Sequence, residues 1–170
     1  MNDARHGFKR RAIVIGILLI LAGALLFCLF RAGSRDITRF IMSSGSLDVN
    51  ETLSLDEAGE DTYVLFFTRG GGTAYCAVIE ERLFSYDISE ISGQLPLASE
   101  KPYTLMISVY DADGEKQQLT WGVLNHSDAS EVTVNGREAK LSPTQYGFSF
   151  FYLMEPYSGD ITDEYTVVAN

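Results

Sequence analysis

The hydrophobic positions of this chain follow two different patterns, and the change falls near residue 31. Residues 12–30 form one run of nineteen residues without a charged side chain, AIVIGILLILAGALLFCLF. At ~1.5 Å per residue, a helix of this length spans ~28 Å, close to the ~30 Å hydrocarbon core of a bilayer. Lipid cannot hydrogen-bond backbone groups, whereas a helix satisfies its own. The run therefore predicts a transmembrane helix at 12–30, with the lipid bilayer as its partner.

After residue 61, apolar residues recur in short runs between turn residues. Residues 103–110 alternate, so that Tyr103, Leu105, Ile107 and Val109 share one face. The other predicted strands are 63–68, 73–79, 83–88, 118–124, 131–134, 147–154 and 164–168. Short strands at turn spacing are typical of antiparallel all-β folds. The pattern predicts an all-β domain, either an immunoglobulin-like sandwich or a small open barrel.

The basic residues around the apolar run set its predicted orientation. Lys9, Arg10 and Arg11 directly precede the run, and clusters of this kind favour the cytoplasmic side. We therefore predict a single-pass cell-membrane protein with a cytoplasmic N-terminus and an extracytoplasmic C-terminal domain. The predicted organisation is a basic tail at 1–11, the transmembrane helix at 12–30, a juxtamembrane linker at 31–61 and the β domain at 62–170.

Two alternatives remain for the N-terminus. A cleaved signal peptide would use the small residues at 32–34, although Arg31 separates them from the apolar run. A lipoprotein would be modified at Cys28, although the preceding Phe27 is larger than lipoprotein processing accepts. An uncleaved anchor agrees best with the length of the run.

The charge balance changes after the anchor. From Asp36 onward the chain contains 22 of its 23 acidic residues and only 7 of its 13 basic residues. Such an excess keeps a tethered domain soluble. It argues against nucleic-acid binding, which requires a basic surface.

Two motifs suggest ligand sites but are better explained as turns. Asp111-x-Asp113-Gly114 begins like a calcium loop, yet its glycine comes too early and Gly122 occupies the position of the bidentate glutamate. The three glycines at 70–72 precede a β run, whereas a phosphate loop opens a helix. We predict hairpin turns at both places, and neither a metal nor a cofactor.

Nucleophilic catalysis has no better support in the sequence. His126 lies beside a serine and an aspartate in one loop, but the members of a catalytic triad normally converge from distant segments. Cys76 lies in an apolar run, which predicts a buried thiol. We therefore predict no catalytic residue.

The tyrosines are the remaining candidates for recognition. The chain contains nine, and Tyr146, Tyr157 and Tyr165 could line an interaction surface. The alternative is that they lie at the sheet margins with their hydroxyls in water. The favoured hypothesis is a non-enzymatic binding or sensing module that meets an envelope protein or peptide. The alternative is a cell-envelope hydrolase that uses acidic residues, which requires two carboxylates roughly 5–9.5 Å apart in a cleft.

One segment resembles known proteins. It contains WGVL at 121–124, EVTVNG at 131–136 and GFSFF at 147–151. These residues resemble small bacterial membrane-anchored extracytoplasmic proteins, which have a short N-terminal anchor and a β domain. The resemblance implies a bacterial cell-surface location. It carries over no catalytic or binding residue, because that family is functionally uncharacterised.

Overall fold

The computed structural model describes residues 15–27, 36–83, 85–125, 129–159, 161 and 165–170. Helix α1 covers residues 15–27, and helix α2 covers Ile37–Ser43. The strands are β1 (Glu51–Gly59), β2 (Thr62–Thr68), β3 (Thr73–Glu81), β4 (Tyr86–Pro96), β5 (Tyr103–Ala112), β6 (Glu115–Leu124), β7 (Val132–Val134), β8 (Arg137–Pro143), β9 (Ser149–Pro156) and β10 (Val167–Ala169).

The strands form two antiparallel sheets packed face to face. The first sheet has the order β1-β2-β3-β4 and the second has the order β10-β7-β8-β9-β6-β5. The predicted all-β sandwich is therefore confirmed. An immunoglobulin-like arrangement is not seen, because such sandwiches exchange strands between their sheets, whereas here the first four strands stay together. The second sheet instead curls into a half-barrel.

Two hairpins have the turn chemistry expected from the sequence. Asp113 and Gly114 join β5 to β6 with φ values of 52° and 85°. Asn135 and Gly136 join β7 to β8 with φ values of 52° and 74°. Turns with positive φ at both central residues match the right-handed twist of the flanking strands. The hairpin explanation of the Asp-x-Asp-Gly motif is thus confirmed.

Large apolar side chains fill the space between the sheets. Phe66 of β2 stacks on Phe150 of β9 with ring centroids 4.3 Å apart. Trp121 of β6 is fully buried beside them, and each such side chain stabilises the fold by about 1.5–3 kcal/mol. Cys76 is 0% exposed, as predicted, and burial raises the pKa of its thiol.

A second core lies inside the half-barrel. Leu124, Val132, Val134, Ala139 and Phe151 are its buried residues. Glycine is required at 122, because a Cβ there would meet the backbone oxygen of Thr104 on β5 and the ring of Phe151, its cross-strand neighbour on β9. The absence of a side chain at 122 therefore lets β5, β6 and β9 approach closely at this point.

The outer face of the first sheet is covered by the segment that precedes β1. Ile41 of α2 and Leu47 pack on this face and are 4% and 0% exposed. Arg69 fixes the segment, because its Nε and Nη2 donate to the carbonyls of Leu47 and Ser46 at 2.8 and 3.0 Å. The segment is therefore part of the folded domain.

The structure differs from the predicted domain boundaries at this point. Both α2 and β1 lie within residues 31–61, the predicted linker, and β1 pairs with β2 along its length. Each of the eight predicted strands overlaps an observed one, although the 83–88 segment does so only where β4 begins at Tyr86. No strand was predicted at the positions of β1 and β8.

Helix α1 falls within the predicted membrane span. Its large apolar side chains are exposed, Leu19 to 68% and Ile20 to 72%. Residues 12–14 and 28–30 of the predicted span lie outside the described residues. Within the part of the chain that is described, no helix is long and apolar enough to cross a membrane.

Candidate functional site

A polar cavity of about 220 Å³ opens at one end of the half-barrel, where β6 begins and β9 ends. Its wall combines side chains from the concave face with Asn135 of the β7–β8 turn and with Ser158 and Tyr165, which lie between β9 and β10. The lining residues are Gln118, Thr120, Val134, Asn135, Arg137, Leu153, Glu155, Ser158 and Tyr165. Pockets at the mouths of barrels are common ligand sites.

Two buried polar side chains form the floor of this cavity. Gln118 is 4% exposed and Thr120 is 0% exposed. The Nε2 amide of Gln118 donates to Thr120 Oγ1 and to the Tyr165 hydroxyl oxygen, each over 3.3 Å. Burying such groups without partners would cost about 1–3 kcal/mol. The hydrogen bonds remove that cost and fix the orientation of the amide.

The polar residues occupy positions that are apolar elsewhere on the same face. Further along β6, the concave face carries Gly122 and the buried Leu124. On β9, Phe151 and Leu153 precede Glu155 on this face. The interior therefore changes from apolar at its centre to polar at the end that holds the cavity.

The charged residues of the cavity neutralise each other. Arg137 Nη1 forms an ion pair with Glu155 Oε2 at the rim, and their side chains are 64% and 21% exposed. A solvated pair of this kind contributes about 0–1 kcal/mol to stability. The cavity consequently has no net formal charge, although the domain as a whole is acidic.

The combined groups can hold a small, uncharged, polar molecule. The cavity offers amide and hydroxyl groups, which donate and accept hydrogen bonds without a charge. A charged ligand would lose its hydration without finding a free counter-charge. The volume is below the roughly 300–1,000 Å³ of pockets for drug-sized ligands, so the cavity suits a molecule of monosaccharide size.

The three candidate tyrosines do not share one location. Tyr165 lines the cavity, packs against the half-barrel core and accepts the hydrogen bond from Gln118. Tyr157 directly follows β9, and its hydroxyl donates to the carbonyl of Gly159 over 2.9 Å. It lies near the cavity but not in its wall.

Tyr146 lies at the other end of β9. It is 48% exposed, its ring stacks on Phe148, and its hydroxyl donates to the carboxylate of Glu51. The eight residues of β9 separate it from Tyr157, which corresponds to more than ~20 Å at ~3.3 Å per residue. Tyr146 and Tyr165 therefore belong to different surfaces, and an interaction at either one stays a prediction.

The acidic residues were the basis of the hydrolase alternative. Asp87 and Glu90 both line a shallow groove between α2 and β4. Among the described residues, no group of three histidine, cysteine or acidic side chains is arranged to hold a metal ion. Residues 126–128, the loop with the candidate histidine, lie outside the described residues. The hydrolase alternative stays a prediction.

Two phenols in the inter-sheet core have altered acidity. Burial raises the pKa of Tyr110 to about 12, helped by Glu80, Cys76 and Glu90. Burial also raises the pKa of Tyr152, with smaller contributions from Asp56 and Cys76. The raised pKa keeps both phenols protonated in the folded protein into alkaline solution.

Among the residues that line the cavity, the sequence predicts only Tyr165 as part of an interaction surface, and it does not predict the buried floor. Gln118 and Thr120 alternate with Leu119 and Trp121, so their face looks like the solvated side of the strand. The available signal was the change from polar to apolar along that same face towards Leu124. Comparison of the chain with family models, with curated proteins and with solved structures found no match.

Proposed function

We propose that this chain is a membrane-anchored, extracytoplasmic binding module, without enzymatic activity, that holds a small uncharged polar ligand in the half-barrel cavity. The observation that carries the proposal is the buried Gln118–Thr120 pair at the cavity floor. A protein interior gains nothing in stability from polar side chains at apolar positions. A ligand site, in contrast, needs a few fixed polar groups in a concave surface.

The bond from Gln118 to Tyr165 supports the same proposal. It links the cavity floor on β6 to the segment that leads into β10, so the donors and acceptors are held in place before a ligand arrives. Preorganised groups lose little conformational entropy on binding, which favours affinity.

The membrane anchor is the second part of the proposal. Residues 12–30 are uncharged and follow a basic cluster. The exposed apolar side chains of α1 are unfavourable in water and favourable in lipid. With the N-terminus in the cytoplasm, the acidic domain lies outside the cell membrane, where envelope components are the available ligands.

Ligand-detected NMR on the full-length chain in a non-ionic detergent tests the binding function. The probes are glucose, galactose and N-acetylglucosamine as uncharged polar molecules, with free glutamate and lysine as charged controls. We expect saturation transfer to at least one sugar, with a Kd below about 10 mM, and none to the charged controls. Transfer only to the charged controls, or to no probe, would contradict the proposal.

Alkaline carbonate extraction and protease protection in spheroplasts test the anchor. We expect the full-length chain to stay in the membrane fraction and its C-terminal domain to be digested from outside. A matched variant with Leu19→Lys and Ile20→Lys should be released by carbonate, because a charged side chain at the helix centre costs about 2.5–3.5 kcal/mol or more. Release of the unmodified full-length chain would refute the anchor.

A further inference from the structure

The polar cavity lies at one end of the sandwich, and that end is common to both sheets. Arg82 follows β3 of the first sheet and forms an ion pair with Asp113, in the β5–β6 turn of the second sheet, over 2.8 Å. Strand β6 begins just after this turn, and its fourth residue is Gln118 of the cavity floor. We call this end the cavity end. It holds the β1–β2 turn at 60–61, the end of β3, the start of β4 and the β5–β6 turn.

The opposite end of the sandwich, the far end, holds the β2–β3 turn at 69–72 and the β4–β5 loop at 97–102. The segment before β1 reaches this end, because Arg69 donates to the carbonyl of Leu47 over 2.8 Å. Strand β3 runs between the two ends, and its nine residues correspond to roughly 30 Å at ~3.3 Å per residue. A surface that meets one end therefore leaves the other roughly 30 Å away.

The chain enters the folded domain near the cavity end. Asp36 caps helix α2 and is the first described residue after α1. Phe40, in the middle of α2, packs on Tyr86, the first residue of β4, with ring centroids 5.5 Å apart. The four residues from Asp36 to Phe40 span only about 6 Å of helix. Asp36 therefore lies close to the end of the sandwich that holds the cavity.

The predicted membrane span ends a short distance before this entry point. It ends at residue 30, and the six residues from there to Asp36 reach at most about 20 Å when fully extended. The headgroup region on one side of the hydrocarbon core is about 5–8 Å thick. A tether of this length holds the cavity end, rather than the far end, beside the lipid headgroups.

The charge of the cavity end selects between classes of headgroup. Both residues of the β1–β2 turn and the last two residues of β3 are acidic, and so are Asp113 and Glu115 of the β5–β6 hairpin. Arg82 lies among them and is paired with Glu80 and Asp113. Anionic headgroups attract basic segments, and they repel an acidic surface such as this one. Uncharged headgroups can approach it, and they match the uncharged character of the cavity.

We propose that the ligand of the polar cavity is the uncharged sugar headgroup of a glycolipid in the bilayer that anchors the chain. This inference rests on the proposed function and adds that the source of the ligand is a membrane lipid rather than a sugar in solution. Tethering to the same bilayer gives the headgroup an effective concentration in roughly the mM range. A small cavity that makes few hydrogen bonds, with a Kd of up to about 10 mM, is filled only at such concentrations.

The first measurement determines which end of the domain faces the bilayer. Glu60→Cys places a fluorescent dye at the cavity end and Glu100→Cys places the same dye at the far end, each in a Cys28→Ser chain. Both positions are exposed, whereas the remaining Cys76 is buried. The full-length chains are reconstituted in phosphatidylcholine nanodiscs that contain an acceptor-labelled lipid. We expect stronger energy transfer to the lipid from residue 60 than from residue 100, and equal or reversed transfer would overturn the proposal.

The second measurement determines whether the glycolipid fills the cavity. Saturation transfer to free glucose or galactose is recorded for the full-length chain in phosphatidylcholine nanodiscs. The same nanodiscs are then prepared with the diacylglycerol glycoside of that sugar, or with an equal amount of phosphatidylglycerol. We expect the glycolipid to lower the transfer at least about fivefold by competition, and phosphatidylglycerol to leave it within about twofold.

The outcomes separate this inference from the function on which it rests. Transfer to the free sugar that the glycolipid leaves unchanged would overturn the membrane source and leave the sugar-binding function standing. An equal reduction by phosphatidylglycerol would overturn it as well, because the effect would then not depend on the sugar. No transfer to either free sugar in plain nanodiscs would overturn both.

Discussion

Trp121 of β6 and Ser92 of β4 are joined across the two sheets by a buried hydrogen bond. The indole Nε1 donates to Ser92 Oγ over 2.9 Å, and the two residues are 0% and 5% exposed. An indole nitrogen can only donate, so without Ser92 the N–H would be buried and unsatisfied. We expect Ser92→Ala to lower the free energy of unfolding by about 1–3 kcal/mol in urea titrations.

Ser108→Ala is the matched control for this variant. It removes a buried hydroxyl that has no hydrogen-bond partner among the described residues, so its loss should be neutral or slightly stabilising. Equal destabilisation by the two substitutions would show that the bond to Trp121 contributes nothing specific.

The contact between Gly122 and Phe151 predicts the cost of adding a single methyl group. A Cβ at residue 122 would overlap the backbone oxygen of Thr104 on β5 and come within 2.5 Å of Phe151 Cζ. We expect Gly122→Ala to destabilise the domain by about 1–3 kcal/mol or more, because the backbone of β5 at Thr104 and the ring of Phe151 must both move. Gly59→Ala on β1 meets no atom within 4 Å and should be neutral in the same urea titration. A neutral Gly122→Ala would contradict the described packing of the half-barrel.

Arg69 should control whether the segment before β1 stays on the first sheet. Its guanidinium binds the carbonyls of Ser46 and Leu47, and its Cζ lies 4.7 Å from the centroid of the Tyr75 ring. Removing these contacts in Arg69→Ala should speed hydrogen exchange in residues 36–50 and cost about 1–2 kcal/mol. Arg69→Lys keeps the charge but loses the fork geometry, so an intermediate effect is expected. Unchanged exchange in Arg69→Ala would contradict this role.

The raised pKa of Tyr110 predicts that the domain loses stability in alkaline solution. Its folded-state pKa is about 12 against an ordinary value of 10.0, so the folded protein holds the phenol proton more tightly than the unfolded chain does. The corresponding stabilisation is complete below pH 10 and is lost as the pH rises towards 12. Urea titrations across this interval should show a steep fall for the unmodified protein and a shallower one for Tyr110→Phe. Parallel curves would contradict the raised pKa.

The strands that the sequence predicts are those with an apolar face, and the two that it misses are polar. Strand β8 reads REAKLSP and β1 reads ETLSLDEAG, both rich in charge and poor in β-branched residues. They are strands because neighbouring strands offer pairing edges. Strand β8 pairs with β7 across the Asn135–Gly136 turn, and β1 pairs with β2 with two irregularities in the register. Both strands pair with strands next to them in the sequence, and the periodicity of a single segment cannot show that a neighbouring strand will pair with it.

The sequence does not predict the cavity, and the reason is related. Alternation along β6 correctly separates Leu119 and Trp121 from Gln118 and Thr120, but it cannot show that the sheet curls and buries both faces. Inside the half-barrel, Gly122 meets Phe151, a residue distant from it in the sequence. Tyr165 could be selected as a recognition residue, whereas its contact with Gln118 could not.

The central claim is that the half-barrel cavity holds the ligand, and the affinities of two tyrosine variants test it most directly. Tyr165→Phe removes a hydroxyl from the cavity, while Tyr146→Phe removes one from the surface at the other end of β9. The measurement is the Kd of the full-length chain and of both variants for the sugar that shows the strongest saturation transfer. We expect Tyr165→Phe to bind about tenfold more weakly, which corresponds to one lost hydrogen bond of about 1.4 kcal/mol, and Tyr146→Phe to bind as the unmodified chain does. Unchanged affinity in Tyr165→Phe, or a loss confined to Tyr146→Phe, would contradict the assignment of the cavity as the ligand site.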